Sequence, residues 1–517
     1  MPHSPIAAAL AVLAAAAGVG AAAGVEAQPA GAGAQPRPNI VLIVTDDQTM
    51  AQLSNATMPS TLGLIGEQGT TFANSIATTP LCCPSRASMI TGQYGHNNGV
   101  LANAGGYKHL VSPRNVLPLW LRAAGYYTAH VGRWLQGYKG KKVAPGWDEW
   151  FTMLGENRTY YRYDVSDDGK AAHFGKGPRD YVTRVLNQEA LRVVRRQVRS
   201  PKPFYLQLDQ LAPHADGFVG GSGGACEHSA IPPSLAPAGF EDAQLPMPPS
   251  FNEADVADKP SFLKLLPTLS DEQIAEIGRQ WRCRLASLPA VDEGVRRIVA
   301  TLDHAGELDN TAIVFTSDNG YFFGEHRVRT EKDYAYEEGI HLPLLIRFPG
   351  GAGAGSVVDA PVANIDIAPT LLELAGAQPC RGKGAGACRV MDGRSLVPLV
   401  AGGAWPQDRA LALELARKAG SANAALPCTY QGVRVDAQVY IEHSSVPDAA
   451  GACQPASEVE HYDLASDPFE LTNLFPAPQG SAAAQAESDL AQRAAALSDC
   501  AGIEGRDPAP PSGHYCE

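Results

Sequence analysis

NIVLIVTDD, residues 39–47, is a continuous apolar run that ends in two aspartates. An apolar run without alternation is typical of a strand that is buried on both faces, as in the centre of a parallel sheet. Similar runs occur at residues 204–208, 311–316 and 342–348. The sequence therefore predicts a central sheet to which these four segments contribute strands.

Helical patterns lie between the predicted strands. Residues 186–198 form a basic pattern with a solvated face, and residues 367–374 follow Asp366, a candidate helix cap. Apolar residues also recur at helical spacing, with charges opposite them, at Val291, Val295, Ile298, Val299 and Leu302. Alternation of strands with helices predicts an α/β fold, with a large, mostly parallel central sheet flanked by helices.

The pattern changes after about residue 400. Residues 433–436 and 439–442 alternate apolar and polar side chains, as in an antiparallel hairpin. We therefore predict a main domain over residues 38–400 and a smaller C-terminal α+β domain with an antiparallel sheet over 401–517. Residues 215–260 are rich in Gly, Pro and Ser, which predicts a long surface excursion.

The first residues resemble an export signal. Residues 6–25 are almost entirely Ala, Val, Leu and Gly, and a small-x-small pattern ends at Ala27. We predict a signal peptide over residues 1–27, a linker over 28–37, and a protein exported to the periplasm or secreted. The alternative is a signal anchor that stays in the membrane, although Ala and Gly make a poor spanning helix.

The overall charge argues against a nucleic-acid partner. The formal net charge is −13, whereas nucleic-acid binders usually present a basic face. No stretch beyond the first residues is long and apolar enough to span a bilayer, so no stable membrane insertion is expected.

The cysteines predict a disulfide-bonded protein. Of the ten, Cys82 and Cys83 are adjacent, and the remaining even number in an exported chain suggests disulfides. The simplest pairing is sequential for Cys380 with Cys388, Cys428 with Cys453, and Cys500 with Cys516, which leaves Cys226 and Cys283. A metal site built from these cysteines is disfavoured because no Cys-x-x-Cys pair occurs.

Two pairs of oxygen-bearing side chains follow predicted strands. Asp46 and Asp47 end the first run, and Asp318 and Asn319 follow the run at 311–316. Ligands in open α/β sheets bind beyond the carboxyl ends of the strands, and oxygen ligands favour Ca²⁺, or Mg²⁺, over Zn²⁺. Either pair alone could simply belong to a turn.

Residues 82–92, Cys-Cys-Pro-Ser-Arg-Ala-Ser-Met-Ile-Thr-Gly, are the most specific segment. Pro84 suits the first turn of a helix, which would leave Cys82 just before the helix and facing its positive end. Arg86 adds a positive charge one turn later. Cys82 could accordingly be a nucleophile of low pKa, or one member of a structural cysteine pair.

This segment resembles the signature of the sulfatase family, C-x-P-S-R-x-x-x-L-T-G, with Ile90 in place of the leucine. Residues 81–91 and 132–138 resemble its N-acetylglucosamine-6-sulfatase branch in particular. Further parts of the family pattern match in order at residues 38–48, 317–321, 324–327, 332–338, 462–464 and 467–470. The resemblance implies that a separate formylglycine-generating enzyme oxidises Cys82 to formylglycine, whose hydrate is the nucleophile.

The resemblance also implies roles for individual residues. Arg86 would hold the formylglycine hydrate, His214 would lie near the leaving oxygen, and Lys332 would contact the sulfate. His326 would lie near the same pocket. The metal ligands would be Asp46, Asp47, Asp318, Asn319 and the modified Cys82. Taken alone, each histidine could be an ordinary loop residue, and Lys332 could belong to a solvated charge run.

One position departs from the family. Gly132-Arg133 stands where sulfatases usually have Gly-Lys, and arginine keeps the charge of lysine but not its shape or pKa. We nevertheless count Arg133 among the catalytic candidates. Beside Trp134 it could also form a cation–π pair.

The resemblance thus implies a sulfuric ester hydrolase acting on an organic sulfate, with a sulfated sugar or glycan as the leading substrate. One alternative is a phosphodiesterase or phosphonate hydrolase on the same fold, and another is an inactive glycan-binding homologue. Loops such as 140–180 and 215–260 would set specificity.

Overall fold

The computed structural model describes residues 37–155, 159–217, 224–382, 387–406, 408–417 and 425–517. The predicted signal peptide and all but the last residue of the predicted linker lie outside the described residues. No helix in the described part of the chain is both long enough and apolar enough to cross a membrane.

Two main sheets organise the described residues. The strands, in chain order, are β1 Asn39–Thr45, β2 Thr70–Phe72, β3 Ser75–Ile76, β4 Tyr127–Gly132, β5 Glu149–Met153, β6 Tyr163–Asp167, β7 Lys170–Phe174, β8 Phe204–Asp209, β9 Thr311–Ser317, β10 Leu344–Arg347, β11 Ser356–Val358, β12 Val362–Ala363, β13 Ala410–Ala416, β14 Thr429–Val435, β15 Gln438–Pro447 and β16 Cys453–Asp463. The helices of seven residues or more are Cys82–Thr91, Leu117–Ala123, Val182–Gln197, Asp271–His304, Ile367–Ala375 and Ala482–Leu497.

The large sheet has the order β11-β2-β10-β9-β1-β8-β4-β5-β6-β7. Its centre is parallel, because β1 pairs in parallel with both β8 and β9, and β4 pairs in parallel with β8 and β5. The predicted strand at 342–348 is present as β10, but it runs antiparallel to β9. The predicted α/β fold with a mostly parallel central sheet is confirmed.

Strand β1 is buried on both faces, as its unbroken apolar run predicted. Ile40, Leu42 and Val44 belong to one apolar cluster, with the helices Leu117–Ala123 and Ile367–Ala375. Val41 and Ile43 belong to a second cluster on the other face. Because successive strand side chains point to opposite faces, a run without polar interruptions buries both.

The second face is covered by the helices Val182–Gln197 and Asp271–His304. The second helix begins well before the predicted periodic segment. Its N-cap is Ser270, whose hydroxyl accepts a hydrogen bond from the Gln273 backbone while the Gln273 side chain accepts one from the Ser270 backbone. This reciprocal capping satisfies two backbone donors that the helix would otherwise leave without partners.

Asp366 is the N-cap residue of the helix Ile367–Ala375, as predicted. Its carboxylate makes no cap bond to the helix Ile367–Ala375. It accepts a hydrogen bond from the Ala363 backbone and pairs with Arg409 through both oxygens, at 2.7 and 2.9 Å. A buried arginine offers a stronger, charge-assisted partner than a helix N–H.

The smaller sheet is antiparallel, in the order β13-β14-β15-β16. The predicted hairpin is present, with Val433 opposite Tyr440 and Val435 opposite Gln438. Leu490 and Leu497 of the helix Ala482–Leu497 join the apolar cluster of this sheet. Arg37–Glu517 forms one compact unit, and the proposed domain boundary at residue 400 stays a prediction.

Three disulfides match the predicted sequential pairing, and a fourth joins the two cysteines that this pairing left over. They join Cys226 to Cys283, Cys380 to Cys388, Cys428 to Cys453 and Cys500 to Cys516. Cys82 and Cys83 are buried free thiols. The first bridge ties the predicted excursion at 215–260 to the helix Asp271–His304. In the described part of that excursion, the longest helical element is the single turn Gly224–Cys226.

Candidate active site

The two pairs of oxygen-bearing residues meet at one edge of the large sheet. Thr45 and Ser317 are paired in the parallel ladder of β1 and β9, so the residues after each strand emerge side by side. The Asp47 backbone donates to Asp318 Oδ1 at 3.0 Å, and Asn319 Nδ2 donates to Asp47 Oδ1 at 2.7 Å. All four side chains are buried.

Cys82 lies directly over these carboxylates. It is the first residue of the helix Cys82–Thr91, with Leu81 as the N-cap, so the helix begins earlier than the sequence suggested. Its Sγ lies 3.6 Å from Asp46 Oδ1 and 4.0 Å from Asp47 Oδ1. Lys332 Nζ donates to the same sulfur at 3.0 Å. The helix N-terminus adds partial positive charge at this position.

Three buried cations surround the carboxylates. Arg86 donates to Asp318 Oδ2 at 2.8 Å and to Asp46 Oδ2 at 3.1 Å. Arg133 pairs with Asp46, and Lys332 pairs with Asp47. Arg133, which stands where the family usually has lysine, therefore reaches the cluster with its positive charge.

Asp209 is a member of the site that sequence reasoning missed. Its Oδ1 lies 3.0 Å from Arg86 Nη1, and its Oδ2 faces His130 Nε2 at 2.9 Å. Gln207 Nε2 donates to the same Oδ2 at 2.9 Å. A signal was available, because Asp209 ends a predicted strand as Asp46 and Asp318 do. This carboxylate holds the outer side of the Arg86 guanidinium.

His214 brings an imidazole to the other side of the cluster. Its Nδ1 lies 2.6 Å from the carbonyl oxygen of Ala215, which can only accept, so Nδ1 carries the proton. Nε2 faces Asp47 Oδ2 at 3.6 Å and Asp46 Oδ1 at 4.0 Å. Burial lowers the pKa of His214 to about 3, against the opposing pull of the two aspartates. The ring is therefore neutral near pH 7.

Burial also raises the pKa of the Cys82 thiol. It raises the pKa of Cys82 to about 12, and the nearby Lys332 offsets only part of that effect. A thiol with this pKa is almost wholly protonated at neutral pH, whereas a cysteine nucleophile needs the thiolate. The interpretation of Cys82 as a low-pKa thiolate is thus disfavoured by its surroundings.

The aspartates differ in their titration. Burial would raise the pKa of Asp46, but the charges of Arg133 and Arg86 outweigh it and hold the pKa below its usual value. Burial and the neighbouring Asp46 raise the pKa of Asp318 to about 6. Asp318 is therefore the carboxyl of this cluster that most needs added positive charge to stay ionised.

The oxygen atoms of Asp46, Asp47 and Asn319 fit a hard divalent cation. Ligand atoms of Asp46, Asp47, Cys82 and His214 all lie within 4.8 Å of one another. Asn319 Oδ1 is buried and accepts no hydrogen bond from any residue that the structure describes, which suits an oxygen aimed at an ion. Carboxylate and amide oxygens are the ligands preferred by Ca²⁺ and Mg²⁺.

The structure does not bring His326 into this cluster. The ring is buried, its Nδ1 is hydrogen-bonded to Glu253 Oε2 at 2.7 Å, and it stacks on Tyr336. The other predicted residues do lie together, namely Cys82, Arg86, Arg133, His214, Lys332 and the four metal candidates. Their catalytic and ligand roles stay predictions.

A cavity of about 770 Å³ opens beside Arg133. Its wall includes Trp134 and Tyr138, and the Tyr138 ring packs edge-on against Tyr107. It is also lined by four lysines, Lys108, Lys139, Lys141 and Lys142. Among the described lining residues none is acidic, so this cavity is locally basic in a chain of net charge −13.

Several known proteins are similar to this chain. An arylsulfatase of Volvox carteri is 36% identical over 375 residues, which cover 67% of this chain and 56% of that protein. The human N-acetylglucosamine-6-sulfatase is 32% identical over 72% of this chain and 66% of its own length. The chain thus spans between half and two thirds of these two relatives.

A solved structure shares both fold and sequence. A protein in complex with its substrate D-glucosamine-2-N,6-O-disulfate superposes with a TM-score of 0.70 at 26% identity, covering 88% of this chain and 96% of that chain. The family model described as Sulfatase matches residues 38–377, which carry the whole cluster around Cys82. The chain belongs to the sulfatase family.

Proposed function

We propose that this chain hydrolyses sulfate esters of sugars at the cluster around Cys82. The observation that carries the proposal is the position of the Cys82 sulfur, which lies 3.0 Å from Lys332 Nζ and 3.6 Å from Asp46 Oδ1. Residue 82 therefore lies between Lys332, which can bind an anion, and Asp46, which can bind a cation.

The unmodified thiol is a poor nucleophile here, because burial raises its pKa to about 12. This supports conversion of Cys82 to formylglycine by a formylglycine-generating enzyme. The formylglycine hydrate would supply the attacking hydroxyl, and a Ca²⁺ held by Asp46, Asp47, Asp318 and Asn319 would acidify it and polarise the sulfate.

The cations of the site are arranged for an anionic substrate. Lys332 pairs with Asp47 and Arg133 pairs with Asp46, both beside Cys82. At these positions the two positive charges would bind the oxygens of a sulfate group. Arg86 is held by three carboxylates, Asp46, Asp209 and Asp318, so its guanidinium is fixed in direction. Fixed charge in a buried site stabilises charge that develops in the transition state without reorganisation.

Two groups can handle protons. Neutral His214 presents Nε2 to the cluster and is suited to take a proton. Burial lowers the pKa of Lys332, but Asp47 and Cys82 outweigh it and hold the pKa well above its usual value, so Lys332 carries a proton. We assign Lys332 as the donor to the leaving oxygen and His214 as the acceptor.

The cavity beside Arg133 supports a sugar as the leaving group. Trp134 and Tyr138 offer apolar faces, and the surrounding lysines favour further anionic groups. The named N-acetylglucosamine-6-sulfatase relative and the solved complex with a disulfated glucosamine support the same class. The four disulfides support an exported protein.

The test is to produce the protein with and without a formylglycine-generating enzyme and to measure two quantities. The mass of the peptide that contains residue 82 reports the converted fraction. Turnover of an aryl sulfate, of N-acetylglucosamine 6-sulfate and of an aryl phosphodiester reports activity. We expect sulfate turnover to rise in proportion to the converted fraction. Equal turnover without conversion would refute the nucleophile, and faster phosphodiester hydrolysis would refute the substrate class.

A further inference from the structure

A second cluster of ligand-type atoms lies apart from the residues around Cys82. Atoms of His326, Glu338 and Glu470 lie within 4.8 Å of one another. His326 follows β9, Glu338 belongs to the short helix Glu337–Ile340, and Glu470 follows β16. The cluster thus joins the end of the chain to the segment that carries Lys332.

Each of the three side chains keeps one atom without a hydrogen bond. In the described residues, His326 Nε2, Glu338 Oε2 and Glu470 Oε1 are all buried atoms that find no such partner. His326 is 0% exposed and Glu470 is 1% exposed. Buried polar atoms without partners are destabilising, so three that lie close together indicate a common ligand.

The other polar atom of each side chain makes a hydrogen bond, which leaves the three unpaired atoms close to one another. His326 Nδ1 bonds Glu253 Oε2 at 2.7 Å, and Glu253 is held by Lys259 at 3.3 Å. Glu338 Oε1 accepts from Ser250 at 3.1 Å, and Glu470 Oε2 accepts from the backbone of Glu337 at 2.9 Å.

The histidine has the form of a metal ligand. Nδ1 is engaged by the Glu253 carboxylate, which leaves Nε2 as the ring nitrogen that faces the cluster. That arrangement, a carboxylate behind the imidazole, is the usual support of a metal-bound histidine. Nε2 lies 4.0 Å from Glu338 Oε2, too far for a hydrogen bond but within the span of two ligands about 2.1 Å from one ion.

The charges agree with a divalent cation. Two carboxylate side chains, Glu338 and Glu470, face the histidine at this site. The basic side chains nearby are already paired, Lys259 with Glu253 and Arg434 with Glu337. In the portion of the chain described, neither Glu338 nor Glu470 pairs with a lysine or arginine.

We propose that His326, Glu338 and Glu470 form a second metal site, distinct from the Cys82 cluster, that takes a divalent transition metal of the zinc class. Imidazole with carboxylates suits Zn²⁺ better than Ca²⁺, which prefers oxygen ligands alone. Glu338 also lines a cavity of about 520 Å³, through which an ion and a water ligand can enter. The ion would tie the segment around Glu470 to the loop that precedes Lys332.

The experiment measures zinc per chain in the full-length protein. The background is Cys82→Ala with saturating Ca²⁺, which removes the catalytic thiol and fills the oxygen-rich site. After dialysis against Zn²⁺, elemental analysis should show one zinc fewer per chain in His326→Gln and in Glu470→Gln. Glu253→Gln, which alters only the support of the histidine, should weaken zinc binding by about 10- to 100-fold.

The matched control is His443→Gln. His443 is also a buried histidine on a carboxylate, with Nε2 2.7 Å from Glu460, but it is outside the proposed site. It should keep the full zinc content. Equal zinc in the background and in His326→Gln would overturn the proposal in favour of a proton shared between Glu338 and Glu470.

If the ligand variants fail to fold by circular dichroism, the background protein decides the question. Titration with Co²⁺ should then give the intense visible absorption of cobalt held by protein ligands in low coordination. A titration in which cobalt keeps the weak spectrum of the free aqueous ion would overturn the site.

Discussion

Replacing Asp209 by asparagine tests whether the orientation of Arg86 matters to catalysis. The change keeps the volume of the side chain but removes the charge that lies 3.0 Å from Arg86 Nη1. An asparagine at this position must also serve His130 and Gln207, which both hydrogen-bond to Oδ2. Arg86 keeps its ion pairs with Asp46 and Asp318, so its guanidinium stays in the site but is less firmly oriented.

The size of the effect follows from one buried ion pair, between Asp209 and Arg86. A close contact with a charged group contributes about 1.5–3 kcal/mol. If the loss falls on the transition state, kcat should decrease by about 10- to 150-fold, because each 1.36 kcal/mol is a factor of ten. KM should change little, because Arg86 acts on residue 82 and not on the sugar.

The assay is steady-state hydrolysis of an aryl sulfate by fully converted enzyme, with thermal unfolding measured alongside. Asp366→Asn is the matched control, because Asp366 forms a buried pair with Arg409 outside the site. Both variants should lose stability, by about 3–5 kcal/mol for a broken buried pair. Only Asp209→Asn should lose kcat. An unchanged kcat in that variant, or an equal loss in Asp366→Asn, would refute the positioning role.

Three further predictions concern the same cluster. Cys82→Ala should abolish turnover while the melting temperature stays close to that of the parent, and residual turnover at the parent rate would exclude residue 82 as nucleophile. Arg133→Lys should keep kcat/KM within about tenfold because it keeps the charge beside Asp46, whereas Arg133→Met should lose about 10- to 150-fold; equal losses in both would show that the guanidinium shape is required. Burial and Asp46 raise the pKa of Asp318 to about 6. Without metal, this carboxyl therefore binds its proton more tightly in the folded protein than in the unfolded chain. Its contribution to the free energy of unfolding is lost as the pH rises through about 6. The melting temperature gained on adding Ca²⁺ in place of a chelator should therefore be larger above that pH than below it, and a gain that shrinks with rising pH would contradict this.

Much of the site could be predicted from the sequence because it lies at the ends of locally specified elements. The run at 40–44 is apolar throughout, which specifies a strand buried on both faces, and the residues after it must emerge at the sheet edge. The same reasoning places Asp318 after β9. Residues 82–92 carry both the start of a helix and a family signature.

Other features depend on contacts between distant segments, and no local pattern indicates them. The direction of β10 against β9 is set by the chain reversal between them. The basic cavity combines Lys108 with the lysines of residues 139–142, although residue 108 lies on a separate segment. His326 was predicted near the sulfate pocket from its order in the chain, but its contacts lie with Glu253 and Tyr336.

The sequence by itself determined four strands of the large sheet and the chemical types gathered near Cys82, because runs of apolar residues and the family motifs are local features of the chain. Only the tertiary structure decided which charges touch. Asp209 meets Arg86 across neighbouring elements, and Glu470 meets Glu338 from the far end of the chain. Electrostatic contacts act over a few ångströms in space, and chain order does not specify which distant residues come that close.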